Sequence, residues 1–188
     1  MKIFSLGACL PLVFILSVTP YYLGVEAQDC KPSGKIRGRK LPPGECNQDD
    51  SDCCVPGKLY PTYRCSHSVS SNTKAVLTLN GFSGPVDGDF PSQCDNRYHS
   101  EDELIVALST GWFNGGRRCL NNVTISANGR IVHAIVVDEC DSTVGCDADT
   151  AYQPPCANDV VAASEGVWKA LGVPIDDWGQ MDITWSIA

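Results

Sequence analysis

Residues 111–141 read GWFNGGRRCLNNVTISANGRIVHAIVVDECD, and the rest of the chain can be placed from them. Asn128-Gly129 is the sequence of a two-residue type I′ turn, because both central positions need positive φ. That turn predicts a β-hairpin in which Ala127 faces Arg130, Ile125 faces Val132, and Val123 faces Ala134. The register brings Cys119 close to Asp138 and Cys140, making Cys119–Cys140 a candidate disulfide across the open end. The second arm, Ile131 to Val137, is apolar on both faces, as expected of a central strand covered on both sides. It ends in Asp138-Glu139-Cys140-Asp141, and any chemistry is expected at that end.

Outward from the hairpin, the flanks supply the remaining elements. Lys74–Leu79 alternates into a strand with Ala75, Leu77 and Leu79 on one face. Residues 81–93 (GFSGPVDGDFPSQ) are a long loop whose Gly, Pro and Asp content forbids regular structure, and such loops are often functional. Ser100-x-x-Glu103 has the form of a capping box, and Leu104, Ala107 and Leu108 follow at helical spacing, so a helix is expected from Ser100 to Gly111. After the hairpin, residues 141–158 form another loop. Ser164–Leu171 reads as a helix with Val167, Trp168 and Leu171 inward, capped by Gly172 and stopped by Pro174. Met181, Ile183, Trp185 and Ile187 alternate into a last strand. The expected fold is mostly β, a small barrel with two short helices and long loops.

Residues 1–27 are read separately. Lys2, the apolar Leu10–Val18 run and the small-residue end Val25-Glu26-Ala27 have the layout of a secretory signal peptide. The run is too short, and too broken by Pro11 and Pro20, for a membrane anchor. Past Cys9, which leaves with the signal, there are ten cysteines: Cys30, Cys46, Cys53, Cys54, Cys65, Cys94, Cys119, Cys140, Cys146 and Cys156. An even number in a secreted chain reads as five disulfides. No zinc-ligand spacing is present, and neither a metal nor a cofactor is expected. Adjacent Cys53 and Cys54 are expected to reach different partners, and Cys146 and Cys156 are candidates to close the loop over Pro154-Pro155. The other pairings cannot be read from spacing.

Residues 28–66 form a cysteine-rich segment with little periodicity. It carries a basic run, Lys35, Arg37, Arg39 and Lys40, and then an acidic one, Asp49, Asp50 and Asp52. One reading is a loop-built piece held by disulfides; the other is a charged recognition surface; both can hold. The barrel domain is expected over 67–188. A net charge of −8 argues against nucleic acid and anionic membranes as partners, and on charge alone against pectin.

Several motifs together are recognisable. Cys30-Lys31-Pro32-Ser33-Gly34, Cys46 with Cys53-Cys54, Tyr60-Pro61-Thr62-Tyr63-Arg64-Cys65, residues 107–116 (ALSTGWFNGG), Val136-Val137-Asp138-Glu139-Cys140-Asp141 and Gln153-Pro154-Pro155-Cys156 occur in order over nearly the whole mature chain. The chain thereby resembles the kiwellin, or ripening-related, proteins of plants, in the shorter form that lacks an extra cysteine-rich N-terminal module. The resemblance implies a six-stranded double-psi β-barrel like that of barwin and expansins. It also implies a plant protein of the apoplast or cell wall, linked to ripening and defence; the first hypothesis is a non-enzymatic binding protein. Some members bind and inhibit a chorismate mutase that a fungal pathogen secretes, so a secreted pathogen protein is the expected partner.

The alternative is binding or cleavage of wall glycan. In glycan enzymes of this fold one aspartate ends a barrel strand and a second lies across the groove. Asp138 resembles the first and Asp159 the second, although Asn158 stands where expansins carry an aromatic. Two carboxylates flanking a sugar can act as acid and base or nucleophile. Both aspartates can equally be structural, accepting backbone N–H bonds. Partner-binding candidates are Tyr98, His99, Trp112, Phe113, Asn114, Arg117, Arg118, Asp138 and Asp141. Trp112 or Phe113 can instead pack inward while the arginines pair locally. Asn122-Val123-Thr124 is a glycosylation sequon, with Asn122 either exposed or packed against Ile135.

Overall fold

The computed structural model describes residues 30–42, 53–84 and 90–188. The expected signal peptide, Cys46 and the acidic run 49–52 lie outside these residues. Ten elements of strand or α-helix follow in chain order: β1 Gly34–Arg37, β2 Leu59–Thr62, β3 Thr73–Leu79, β4 Ile105–Ser109, α1 Thr110–Phe113, β5 Asn122–Ala127, β6 Arg130–Cys140, β7 Val160–Ala163, α2 Glu165–Ala170 and β8 Gln180–Ile187. β1 and β2 form a two-stranded antiparallel sheet, and β3-β7-β4-β6-β5-β8 close into a six-stranded double-psi barrel.

The β5–β6 hairpin has the expected register, Ala127↔Arg130 through Val123↔Ala134. Asn128 and Gly129 carry φ of 51° and 69°. The full double cover expected for β6 occurs only in its second half. Val132, Ala134 and Val136 point into the barrel core, whereas Ile131 and Ile135 are exposed. Beyond them, Val137 packs into a second apolar cluster outside the barrel, with Phe82, Ile105, Ala107, Val160 and Ala162.

Residues 100–110 depart from the sequence reading. Ser100 N donates to Glu103 Oε1 at 2.9 Å and Asp102 N to Ser100 Oγ at 3.3 Å, so the capping contacts exist. They close a turn and no helix follows, because Ile105–Ser109 runs on as β4, buried at every residue. Leu104, Ala107 and Leu108 fit a helical stripe, but Ile105 and Val106 fill the gaps between them with β-branched apolar residues. A strand paired on both edges buries all five residues, and that burial overrides the local helix signal. α1 is a single turn at 110–113. α2 lies where expected, with Ser164 as N-cap and Gly172 at φ 68°. Gly166 has no side chain because a Cβ there would stand 2.7 Å from the carbonyl oxygens of Asp102 and Glu103.

The disulfides differ from the expected ones. Cys94 pairs with Cys119, Cys140 with Cys156, Cys54 with Cys146 and Cys30 with Cys65. The Cys119–Cys140 pairing fails because the hairpin opens before it reaches them. Leu120 turns at positive φ and donates to Val136 O at 2.8 Å, while Cys94 N donates to Val137 O at 3.0 Å, which places Cys94 beside Cys119. Cys146 and Cys156 do not bond each other; Cys146 N donates to Gln153 O at 2.7 Å, so backbone closes that loop. Cys54 bonds Cys146 and Cys53 is also in a disulfide, so the adjacent pair does reach separate partners. The segment expected to be loop-built contains the β1–β2 sheet. No helix among the described residues is long and apolar enough to cross a membrane.

Candidate functional site

The site grows from an irregularity between β4 and β6. The two strands pair Val106 with Val136 and then Ala107 with Asp138, so Val137 is an extra residue. Strict alternation from the inward-facing Val136 would point Asp138 into the core. The bulge instead puts Asp138 on the outer face with Ala107, and re-aiming a side chain is a common use of such bulges. There the carboxylate meets the loop that precedes β4. Asp138 Oδ1 accepts from Gln93 N at 3.0 Å and from Glu139 N at 2.8 Å.

A cleft of about 230 Å³ opens at this point, with Asp138, Glu139 and Ala107 on the strand side and Phe82, Phe90 and Gln93 among the residues of the loop side. Phe82 is buried beneath it, while Phe90 is 75% exposed at its edge. Burial pushes the Asp138 carboxyl above its ordinary range; the two amide hydrogen bonds oppose that, and the charge of Asp95 adds to it. Burial also pushes Glu139 upward against the hydrogen bond from Thr110 Oγ1, at 2.5 Å.

The loop wall is braced from behind. His99 is buried, with Nε2 3.3 Å from Asp95 Oδ1 and Nδ1 3.3 Å from Glu103 Oε2. Its backbone N donates to Phe82 O at 2.8 Å, and Phe82 N donates to Glu101 Oε1 at 2.6 Å. The amide of Ser100 and the side chain of His99 hold Glu103 below the ordinary carboxylate range.

The other sequence candidates scatter. Trp112 and Phe113 are both buried in the barrel core, so they form no surface platform. Trp112 Nε1 donates to His67 O at 2.8 Å, and its ring meets Trp185 edge-on at 5.0 Å. Asn114 is the exposed left-handed cap of α1, and Arg117 is exposed. Arg118 donates to the carbonyl of Trp112. Asp141 Oδ1 closes a local turn, accepting from Thr143 N at 2.7 Å and Thr143 Oγ1 at 2.6 Å. Tyr98 and His99 do not line the cleft, and neither does Asp159. Asp159 is half-buried ahead of β7, its carbonyl accepting from Val76 N at 2.8 Å. Asn122 is exposed on β5.

Phe82, Phe90 and Gln93 belong to the 81–93 loop, which its Gly/Pro/Asp-rich sequence marks as a candidate contact segment, although nothing in the sequence singles them out within it. Glu139 lies in the acidic cluster at the end of β6 and is not among the individual candidates.

A closed six-stranded barrel, cross-linked through its loops and cleft at one end, defines the class: a disulfide-rich double-psi β-barrel protein. The chain belongs to the kiwellin family, whose Kiwellin-1 model matches residues 15–188. It is 53% identical over 147 residues to Kiwellin of Actinidia chinensis var. chinensis, covering 78% of this chain and 68% of that protein. It is 46% identical over 174 residues to Ripening-related protein 3 of Oryza sativa subsp. japonica, covering 90% and 80%. Solved structures with a similar barrel include an expansin of Clavibacter michiganensis (TM-score 0.46, 18% identity, 62% of this chain and 50% of that one) and a Streptomyces papain inhibitor (TM-score 0.43, 19% identity, 63% and 94%). The several disulfides and the family fit an oxidising, extracellular setting.

Proposed function

We propose that this chain is a secreted, non-enzymatic defence or ripening-related protein that binds a protein partner at the Asp138–Phe90 cleft. The partner we favour is a secreted pathogen enzyme, with a fungal chorismate mutase as the first candidate. In this reading residues 1–27 are removed on secretion, 28–66 form a cross-linked segment, 67–188 form the barrel, and Asn122 is available for glycosylation in the apoplast.

The observation that carries the reading is the placement of the cleft's carboxylates. Asp138 and Glu139 are neighbours on one strand, and Asp138 uses one oxygen to hold the facing loop through two backbone amides. A glycosidase needs two carboxylates flanking the sugar from opposite sides. Among the described residues the facing wall supplies aromatic, hydroxyl and amide groups instead. A braced rim with one exposed aromatic suits protein recognition, in which a few buried aromatic anchors carry most of the energy. The cleft is also smaller than the roughly 300–1,000 Å³ usual for small-ligand pockets.

The test is calorimetric titration of purified secreted chorismate mutase with the mature protein, in wild-type and Phe90→Ala forms. Binding with loss of about 2 kcal/mol in the variant supports the reading. Absence of binding counts against this partner, and binding unchanged by Phe90→Ala counts against this surface.

One observation favours glycan cleavage as a second reading. Burial raises both Asp138 and Glu139, as a general acid requires. Sugar release from wall polysaccharide that disappears in Asp138→Asn and in Glu139→Gln, with the fold intact, would establish it; loss in Asp159→Asn alone would place the chemistry outside this cleft.

A further inference from the structure

The summed charge of −8 conceals a segregation. Residues 66–188 hold six Lys or Arg against sixteen Asp or Glu, whereas 28–65 hold seven against five. All seven of those cations, Lys31, Lys35, Arg37, Arg39, Lys40, Lys58 and Arg64, are among the described residues, and the described part of this segment contains no acid at all. The ion pairs among the described residues lie on the barrel, involving His99 and Lys169. Among the described residues, no carboxylate pairs with the cations of the β1–β2 sheet.

These cations are ordered in space. Lys35 and Arg37 are alternate residues of β1, on the same face and about 6.7 Å apart. Arg39 continues the row, since Gly38 N still bonds Lys58 O at 2.8 Å beyond the strand's end. All three are exposed. Arg37 Nη1 donates to Gly57 O at 3.3 Å, which fixes the guanidinium while leaving most of its five donors outward. A groove of about 420 Å³ runs beside the row, lined by Ile36, Arg37, Gly38 and Arg39 on one side and Gly145, Cys146 and Asp147 on the other. Asp147 is the one acid among the described residues of its lining, and its Oδ1 already accepts from Thr150 N at 3.2 Å and Thr150 Oγ1 at 3.0 Å.

We propose that the Lys35–Arg37–Arg39 row is a docking surface for a linear polyanionic glycan of the polyuronate class, with a carboxylate on each repeating sugar. A linear polymer can follow the strand and avoid the acidic barrel, which would repel a bulky acidic protein. Each exposed pair contributes little in water, but a repeating polyanion engages several at once. A protein partner would require apolar anchors, and this row offers solvated cations. The row shares no residue with the Asp138 cleft, so both sites can be filled together. The whole-chain charge, which on its own argues against pectin, averages over two regions of opposite character.

The test is binding of the full mature chain to immobilised polygalacturonate and to its fully methyl-esterified form, at low and physiological salt. The expected result is retention on the free acid, weakened by salt and absent on the ester. Lys35→Gln/Arg37→Gln/Arg39→Gln is expected to weaken it about tenfold. The control Lys74→Gln/Arg97→Gln/Lys169→Gln, which removes the same charge from the barrel, is expected to change it far less. Equal losses in both variants, equal retention on the ester, or no retention would overturn the proposal. So would retention seen only after Asp49→Asn/Asp50→Asn/Asp52→Asn, because the row's occupant would then be the chain's own acidic run. Light scattering that traces salt-sensitive binding to self-association would overturn it as well.

Discussion

β2 and the end of β6 are both short strand segments close to a disulfide, yet they are held in place by different physics. At β6, Val136 and Val137 are buried on opposite sides of the barrel wall, one in the core cluster that includes Trp112 and Trp185 and the other in the outer cluster that includes Phe82. In the whole described span of 30–65, the buried side chains are those of Cys54 and Thr62. That segment depends on Cys30–Cys65, on Cys54–Cys146, and on backbone bonds to the barrel loops, Tyr63 N to Ser142 O at 2.8 Å and Cys54 N to Tyr152 O at 2.9 Å. One region is stabilised by removing apolar surface from water, the other by cross-links that restrict the unfolded chain. The same division separates the surface chemistry, acidic on the barrel and basic on the small sheet.

Breaking the barrel side is expected to give the largest effect. Trp168 is fully buried between α2 and the core, so Trp168→Ala should cost about 3–5 kcal/mol in a urea titration. That is a large share of a domain's usual 5–15 kcal/mol. Breaking the other side, Cys54→Ser/Cys146→Ser is expected to cost about 2–4 kcal/mol, since this bridge closes a 92-residue separation. Hydrogen exchange should then show β1 and β2 losing protection while β4 and β6 keep theirs. Simultaneous loss in both sheets would mean that the small sheet supports the barrel.

Asp138→Asn gives a smaller effect of determined sign. Its carboxyl titrates above the ordinary 3.8 because burial disfavours the charge. The folded state therefore holds this proton to higher pH than the unfolded chain does. The stability contributed is fully present below about 3.8 and falls as pH rises toward the folded value. Asn cannot ionise and still offers an oxygen to the amides of Gln93 and Glu139. The variant is expected to show a shallower decline through that window and to stay within about 1 kcal/mol of wild type at neutral pH. Thermal melts across pH check this, and a loss of several kcal/mol at neutral pH would show that the charge itself holds the loop. The smallest change is expected for Lys35→Gln/Arg37→Gln/Arg39→Gln, within about 0.5 kcal/mol per substitution, because these side chains are exposed and bury nothing.

The same contrast explains what could be read from sequence. Hairpin register followed from Asn128-Gly129 and the alternation around it, because a two-residue turn fixes every pair behind it. α2 followed from its apolar spacing and its Gly172 stop. β4 did not, because Leu104, Ala107 and Leu108 satisfy a helical period while only the barrel's pairing reveals that Val106–Leu108 is paired on both edges. The Val137 bulge has no local signature either, and it sets the direction of Asp138. The disulfides depend on where loops converge in space, which explains the misplaced partners of Cys119, Cys140, Cys146 and Cys156. Asp138 lines the cleft, whereas Trp112 and Phe113, which the sequence beside the Gly115-Gly116 turn leaves open between a surface platform and inward packing, lie in the core.

The most direct test of the central claim is a hydrogen-exchange footprint of the mature protein with and without purified secreted chorismate mutase. The account predicts slowed exchange at residues 80–82, 90–93 and 138–140, with β1 and β2 unchanged. Slowed exchange confined to residues 34–39 and 59–62, or none anywhere at saturating partner, would contradict it.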